Sequence, residues 1–253
     1  MTELSVVISV YEPRGLARAM RLAHEINARI DEVFVVVNSD GVDSPTDPSR
    51  EQARGKSIFM VKRPNTGMNI GAWSHGLSLC SPENAVLCLQ DECELQREDF
   101  AEAYLQKLCQ PGVGMIGDSL NPKWNLSWED LYQSALNYQV GEYQGRAVTR
   151  VDYYLDCFRR WGINPGTTGR HLRALSWGFS VAARQSLGGL PLGRHKEECI
   201  AAEIGVCKYL EENVGLHVHQ ISVEAFDFFT HIEWDKAGIS KKNPHPQKSD
   251  DHG

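Results

Sequence analysis

The chain has 253 residues, 42% of them hydrophobic, which is enough for one large α/β domain or two small ones. Its net charge of −7 argues against a general nucleic-acid binder, although a nucleotide stays open as a ligand because a bound metal can supply positive charge. Seven cysteines with no CxxC pair argue against a zinc ribbon and read as reduced, mostly buried thiols of a cytoplasmic protein.

The first stretch, MTELSVVISV, has no charged region ahead of a long apolar one, so no signal peptide is expected. No window approaches the roughly 20 apolar residues of a membrane helix, so any membrane contact is expected to be peripheral at most. Leu4 to Val10 is short and rich in β-branched residues, a buried strand, and Glu12-Pro13-Arg14-Gly15 breaks it. Leu16 to Ile30 has helical spacing. Val33 to Val37 is a second strand without polar alternation, as in a sheet covered on both faces, and Asn38-Ser39-Asp40-Gly41 ends it. Asp43 to Lys56 is polar and holds two prolines, which predicts a loop. Ser57 to Lys62 is a third strand, followed by a turn into a helix over about Ala72 to Leu79. Val86 to Gln90 is a fourth strand, Asp99 caps a helix reaching Cys109, and Gly112 to Gly117 is a fifth strand. This alternation predicts an α/β fold with a doubly wound, mainly parallel sheet.

From Asn121 to Ser176 the chain turns aromatic. Ser127-Trp128-Glu129-Asp130 starts a helix, and Gly162 to Gly169 is a loop. Ser176 to Ala183 reads as a strand and Gly188 to Gly193 as a turn. Glu197 to Asn213 reads as a helix closed by Gly215, and Leu216 to Val223 as the last strand. One domain is expected over 1–235, with the aromatic region in its second half, 118–235. The polar stretch Lys236 to Gly253 is expected to be disordered.

Chemistry concentrates at VLCLQDECE, residues 86–94, where an apolar strand ends in Asp91, Glu92 and Glu94. Ligands of open α/β sheets bind beyond the carboxyl ends of strands. Carboxylates gathered there call for a cation, and Mg²⁺ or Mn²⁺ favours oxygen ligands. The same residues also suit a solvated loop capping the next helix. Asn65-x-Gly67-x-x-x-Gly71 lies between a strand and a helix, where glycine lets backbone approach an anionic ligand. Neither GxGxxG nor GxxxxGK[ST] occurs there, which argues against a Rossmann dinucleotide site and a P-loop. Among the histidines, His217 and His219 alternate on one strand, and His231 sits in the aromatic stretch FFTHIEW. Arg194, His195 and Lys196 are basic and suit phosphates. The aromatic rings of 124–177 suit either the core of a small lobe or stacking on sugar rings, with Trp177 expected to face the site.

The order of these motifs resembles the A-type fold of nucleotide-sugar glycosyltransferases, especially family two, over about Leu4 to Gly215. The segments that carry it are VVISVYEP, VFVVVNSDG, RPNTGMNIGAW, LCLQDECE and GFSVAARQSLGG, followed by the pair Glu197-Glu198. The resemblance implies a metal-dependent transferase, with a nucleotide-binding half over 1–117 and an acceptor-side half over 118–235. It would move a sugar, with inversion, from a nucleotide-sugar donor to a carbohydrate, lipid-linked or small-molecule hydroxyl. It implies that Tyr11, Glu12, Asn38 and Asp40 line the base pocket and that Asn65 and Gly67 approach the donor, with Trp177 and Lys196 on the donor side. Asp91 would touch ribose or metal, Glu92 or Glu94 would hold Mn²⁺ or Mg²⁺, and His231 would be a third metal ligand. Glu197 or Glu198 would be the general base. The acidic motif departs from Asp-x-Asp and the Glu pair from Glu-Asp, so the ligand set and the base stay open. A nucleotidyltransferase and a non-catalytic sugar- or nucleotide-binding protein are the alternative functions. No nucleic-acid partner is expected, and homo-oligomerisation stays open.

Overall fold

The computed structural model describes residues 2–12, 15–27, 29–30, 32–53, 56–143 and 146–233. The polar stretch 236–253 lies outside the described residues, as does Trp234.

The apolar runs form the strands they predict. β1 (Leu4–Tyr11) is buried at seven of its eight positions, because the sheet is covered on both sides. Val6, Ile8 and Val10 pack against α1 (Leu16–Asn27), while Val7 packs against the opposite layer. α1 stops three residues before the predicted Ile30, and the buried Asn27 amide closes the turn on the Ile30 carbonyl at 3.1 Å.

β2 (Glu32–Ser39), β3 (Ser49–Ala53) and β4 (Lys56–Pro64) follow. β3 corrects the predicted loop: it pairs antiparallel with β4 and is the edge strand. An edge strand tolerates a polar composition and charge. Next come α2 (Met68–Leu79), β5 (Ala85–Gln90) and the short β6 (Cys93–Leu95). α3 (Phe100–Leu108) begins where predicted, but Asp99 makes no side-chain cap and instead accepts from Arg97 Nε at 3.0 Å. β7 (Val113–Gly117) and α4 (Trp128–Gln133) come next, and Ser127 Oγ caps α4 by accepting from Asp130 N at 3.0 Å.

The aromatic region holds elements the composition does not announce. β8 (Gln139–Tyr143) and β9 (Arg146–Thr149) pair into a hairpin that feeds α5 (Arg150–Trp161). β10 (Ser176–Phe179) ends earlier than predicted. Ser180 Oγ accepts from Ala183 N at 3.2 Å and starts α6 (Val181–Leu187) in its place. α7 (Lys196–Lys208) runs into a π-helical turn, Tyr209–Val214, closed by Gly215 at φ 80°. β11 (His217–Gln220) and β12 (Phe229–His231) complete the described chain.

The main sheet runs β11-β7-β10-β5-β1-β2-β4-β3. The pairs β11–β7, β5–β1, β1–β2 and β2–β4 are parallel; β10 is antiparallel to both neighbours. α1 and α3 cover one face, and α2, α6 and α7 the other. Trp124, Trp128, Tyr154 and Phe158 form a separate core against Ala201 and Ile204 of α7, so these four rings are lobe core. All seven cysteines are free and all but Cys109 are buried. No described helix is long and apolar enough to cross a membrane.

Candidate functional site

The chain leaves β5 at the centre of the sheet, where β1 lies between β5 and β2. Such a point is where open α/β sheets hold ligands. Asp91 N donates to Ser9 O at 3.0 Å, which keeps the acidic stretch at the carboxyl end of β1. The chain then returns as β6 and pairs antiparallel with β12, with His231 opposite Cys93. That register sets His231 Nε2 2.9 Å from Glu92 Oε2, across 139 residues of sequence.

Glu92 and His231 open on a cavity of about 690 Å³. Its walls carry three cations, Arg150, Arg173 and Lys196, together with Trp124, His171 and Glu203. Asp91 and Glu94 belong to a different groove, with Arg21 and Glu25. The Asp91 carboxylate accepts from Arg18 at 2.7 Å (Nη2) and 3.2 Å (Nε). Gly15, at φ 108°, lies against it: a Cβ there would come within 2.2 Å of Asp91 Oδ2. Burial raises the Asp91 carboxyl above its ordinary value, and the Arg18 hydrogen bond opposes that. Glu94 follows the buried Cys93 on β6 and is exposed on the opposite side.

The structure therefore brings together two of the four expected metal ligands and separates the other two. Among the described residues no three His, Cys, Asp or Glu side chains gather as a metal site. One carboxylate oxygen and one imidazole nitrogen on a shared cavity wall still fit a divalent cation that takes its remaining ligands from phosphate and water.

The expected nucleoside residues stand at the carboxyl ends of β1, β2 and β4. Tyr11 donates its hydroxyl to Asp40 at 2.5 Å, and the Asn65 amide donates to the same carboxylate at 3.3 Å. Glu12 accepts from Lys62 Nζ at 3.0 Å. Tyr11, Asp40 and Asn65 are exposed, and none of them lines the cavity that holds Glu92 and His231. Asn38 is buried; it accepts from Arg63 Nη1 at 2.6 Å and donates to Met68 O at 3.0 Å. Its work is to hold the β4–α2 loop. Gly67 is needed in that loop because its φ is 76° and a Cβ would press on Gly71 and Leu192 at 3.2 Å.

On α7, Lys196, Ile200 and Glu203 recur at helical spacing and face the cavity. Glu197 accepts from Tyr154 Oη at 2.7 Å and Arg150 Nε at 3.3 Å. Glu198 is 1% exposed and accepts from Arg194 N at 2.8 Å, Arg194 Nη2 at 2.9 Å and Arg160 Nη2 at 3.1 Å. The Arg194 hydrogen bonds hold its carboxyl far below the ordinary range. His195 is bonded to the Tyr153 hydroxyl at 2.8 Å. His217 and His219 stack at 5.6 Å on β11, the edge strand farthest from β3.

Comparison with solved structures gives a mannosyltransferase, PcManGT from Pyrobaculum calidifontis in complex with GDP-Man and Mn²⁺, at 12% identity and a TM-score of 0.50. The match covers 86% of this chain and 54% of that one, so the chain spans about half the length of that protein. The fold is the A-type glycosyltransferase fold. A putative glucose-1-phosphate thymidylyltransferase from Bacillus anthracis matches at 8% identity and a TM-score of 0.44, over 87% of each chain. The galactosyltransferase LgtC, in complex with donor and acceptor sugar analogues, matches at 10% identity and 0.38, over 85% of this chain and 72% of that one. No family model matches the chain, and no curated protein does.

Within the A-type fold, Trp177 and Glu203 also depart from what the sequence predicts. Trp177 does not face the site. It lies on β10 between β5 and β7, is 0% exposed and packs on Trp73 at 5.1 Å. A central strand buries both faces, so the ring has no route to a ligand. Glu203 is absent from the sequence-based candidates yet lines the cavity. Its Oε1 accepts from Ala174 N at 2.8 Å, and His171 Nε2 lies at 3.8 Å. Burial pushes the Glu203 carboxyl up to about 7 and the His171 imidazole down to about 4. The sequence carried a signal: Glu203 is the one charge between Cys199 and Cys207, inside an apolar helical run.

Proposed function

We propose that the chain transfers a sugar from a nucleoside-diphosphate sugar to a hydroxyl acceptor, with inversion at the anomeric carbon. The observation that carries this reading is the Glu92–His231 pair, 2.9 Å apart at the carboxyl end of β5 in an A-type fold. Both side chains open on a cavity that also holds Arg150, Arg173 and Lys196. A carboxylate, an imidazole and three cations lining one cavity suit a diphosphate held with a divalent ion.

Glu92 and His231 would hold Mn²⁺ or Mg²⁺. The bound ion supplies positive charge against the leaving diphosphate. Arg173 and Lys196 share that charge through hydrogen bonds to phosphate oxygens. Tyr11, Asp40 and Asn65 hold the nucleoside beyond the carboxyl ends of β1, β2 and β4, with Glu12 and Lys62 beside them. Asn38 and Gly67 keep the β4–α2 loop close to the donor. The acceptor, a carbohydrate, a lipid-linked sugar or a small hydroxyl compound, enters beside Trp124. The reaction then joins the acceptor oxygen to the anomeric carbon as the bond to the diphosphate breaks.

The test is thermal unfolding with GDP and UDP, each with and without Mn²⁺ or Mg²⁺. A ligand at 100 times its Kd adds about 2.7 kcal/mol to a native state it alone binds. GDP with Mn²⁺ comes first, because the compared mannosyltransferase holds GDP-Man and Mn²⁺. A metal-dependent rise with one nucleotide is the expected result, and it is lost in Glu92→Gln. No rise with either nucleotide sinks the reading.

A further inference from the structure

The acceptor hydroxyl must give up a proton, and the two glutamates expected to take it are occupied. Glu198 is enclosed by Arg194 and Arg160, and Glu197 by Arg150, Tyr154 and Tyr138. The arginines around Glu198 stabilise its charged form, which makes that carboxylate a weak base. One helical turn deeper, Glu203 is placed differently. It faces the same cavity as Glu92 and His231. The His171 ring, kept neutral by its burial, lies 3.8 Å from it, and the charges of Arg173 and Arg150 favour the ionised form of Glu203 less than burial opposes it. The Ala174 N–H fixes one carboxylate oxygen at 2.8 Å.

We propose that Glu203 is the general base of the transfer. This rests on the transferase reading given above. As the acceptor oxygen bonds to the anomeric carbon, its proton passes to the Glu203 carboxylate. The electron pair of the breaking bond leaves with the nucleoside diphosphate. A base works best when it titrates near the working pH, and the cavity wall raises Glu203 to about 7. The cavity around it is lined by the neutral His171 and by the charged Arg173 on the segment before β10, Arg150 on α5 and Lys196 on its own helix. Glu92, His231 and Glu233 line the same cavity.

The test follows hydrolysis of GDP- and UDP-sugars in Mn²⁺, with water as the acceptor, in the full chain and in Glu203→Gln and Glu203→Asp. Gln keeps an acceptor for the Ala174 N–H, so the fold has no reason to fail. In Glu203→Gln, kcat is expected to fall by about 10²–10⁴ while the donor KM stays within about threefold. The wild-type rate climbs as pH rises through about 7, the Gln variant shows no such limb, and Asp restores part of the rate and the limb. A Gln variant with wild-type kcat overturns this assignment alone. Nucleotide binding in the unfolding assay separates the two failures. If GDP and UDP do not bind, or bind without any donor being turned over by the wild type, the transferase reading falls and this assignment falls with it.

Discussion

The Asp118 carboxylate accepts the backbone N–H of Phe228 at 2.8 Å, across 110 residues of chain. It also accepts from Phe229 N at 3.2 Å, Tyr104 Oη at 2.6 Å and Ser176 Oγ at 2.9 Å. Asp118 directly follows β7 and is 1% exposed. Through these bonds it fixes the start of β12, and β12 ends in His231. The buried acid thus sets where the imidazole meets Glu92.

Asp118→Ala is therefore expected to act at two levels. It strips four buried donors of their acceptor and should cost several kcal/mol, since each buried donor left unsatisfied costs about 1–3 kcal/mol. Asp118→Asn keeps an acceptor oxygen and should cost less. Urea unfolding measures the stability. Mn²⁺-dependent nucleotide binding, measured on the folded Asn variant, should weaken because His231 is less firmly held. Unchanged metal dependence in a destabilised Asn variant would show that β12 is positioned by other contacts.

The acidic stretch gives a second expectation. Glu92→Gln should abolish the metal-dependent part of nucleotide binding, as should His231→Ala. Asp91→Asn should keep it, because Asp91 does not line the cavity and is held by Arg18, whose Nη2 also lies 3.9 Å from Glu92. Its cost is set by that ion pair, in which Arg18 is 39% exposed, and should be about 1 kcal/mol or less. Isothermal titration of Mn²⁺ with GDP or UDP distinguishes the two residues. Loss of the metal effect in Asp91→Asn would return Asp91 to the ligand set.

Much of the fold is legible in the sequence because buried parallel strands leave an uninterrupted apolar run. β1, β2 and β5 show it and are read within a residue or two. β3 is illegible for the opposite reason: its exposed edge imposes no apolar pattern. β6 and β12 are three residues each and exist by pairing with one another, so no local periodicity marks them. The site divides in the same way. Asp91, Glu92 and Glu94 are visible as a cluster, but the chain turns between them, and alternation about Cys93 sends Glu94 to the other side. Trp177 is misread because composition cannot tell a central strand from a wall of the cavity.

Glu198 carries a pH prediction. Its folded carboxyl is depressed by the Arg194 and Arg160 bonds, against an ordinary value of 4.5. A depressed carboxyl contributes stability that is present above the unfolded value and lost as pH falls below it. The wild type should lose stability as pH drops below about 4.5, and Glu198→Gln should lose less over the same range. At pH 7 the variant should be less stable by about 2 kcal/mol, the worth of hydrogen bonds to a charged group. Thermal midpoints measured from pH 7 down to 3 decide it. Parallel acid profiles for both proteins would mean the arginine contacts carry no net stability.

Glu203 should behave in the opposite sense. Burial raises its folded carboxyl to about 7 from an ordinary 4.5. A raised carboxyl favours the native state below the unfolded value, and that advantage is lost as pH rises through the folded one. Above pH 7 the native chain must keep a partly buried charge that Arg173 and Arg150 offset less than burial opposes it. Glu203→Gln removes that charge and keeps the acceptor for Ala174 N. The variant should therefore be more stable than the wild type at pH 8, by about 2 kcal/mol, with the difference shrinking towards pH 5. Urea midpoints at the two pH values measure it. A gain in stability joined to a loss of turnover is the signature of a carboxylate kept for chemistry. A variant less stable at pH 8 would show that the charge is already satisfied by the cavity and that Glu203 serves the fold.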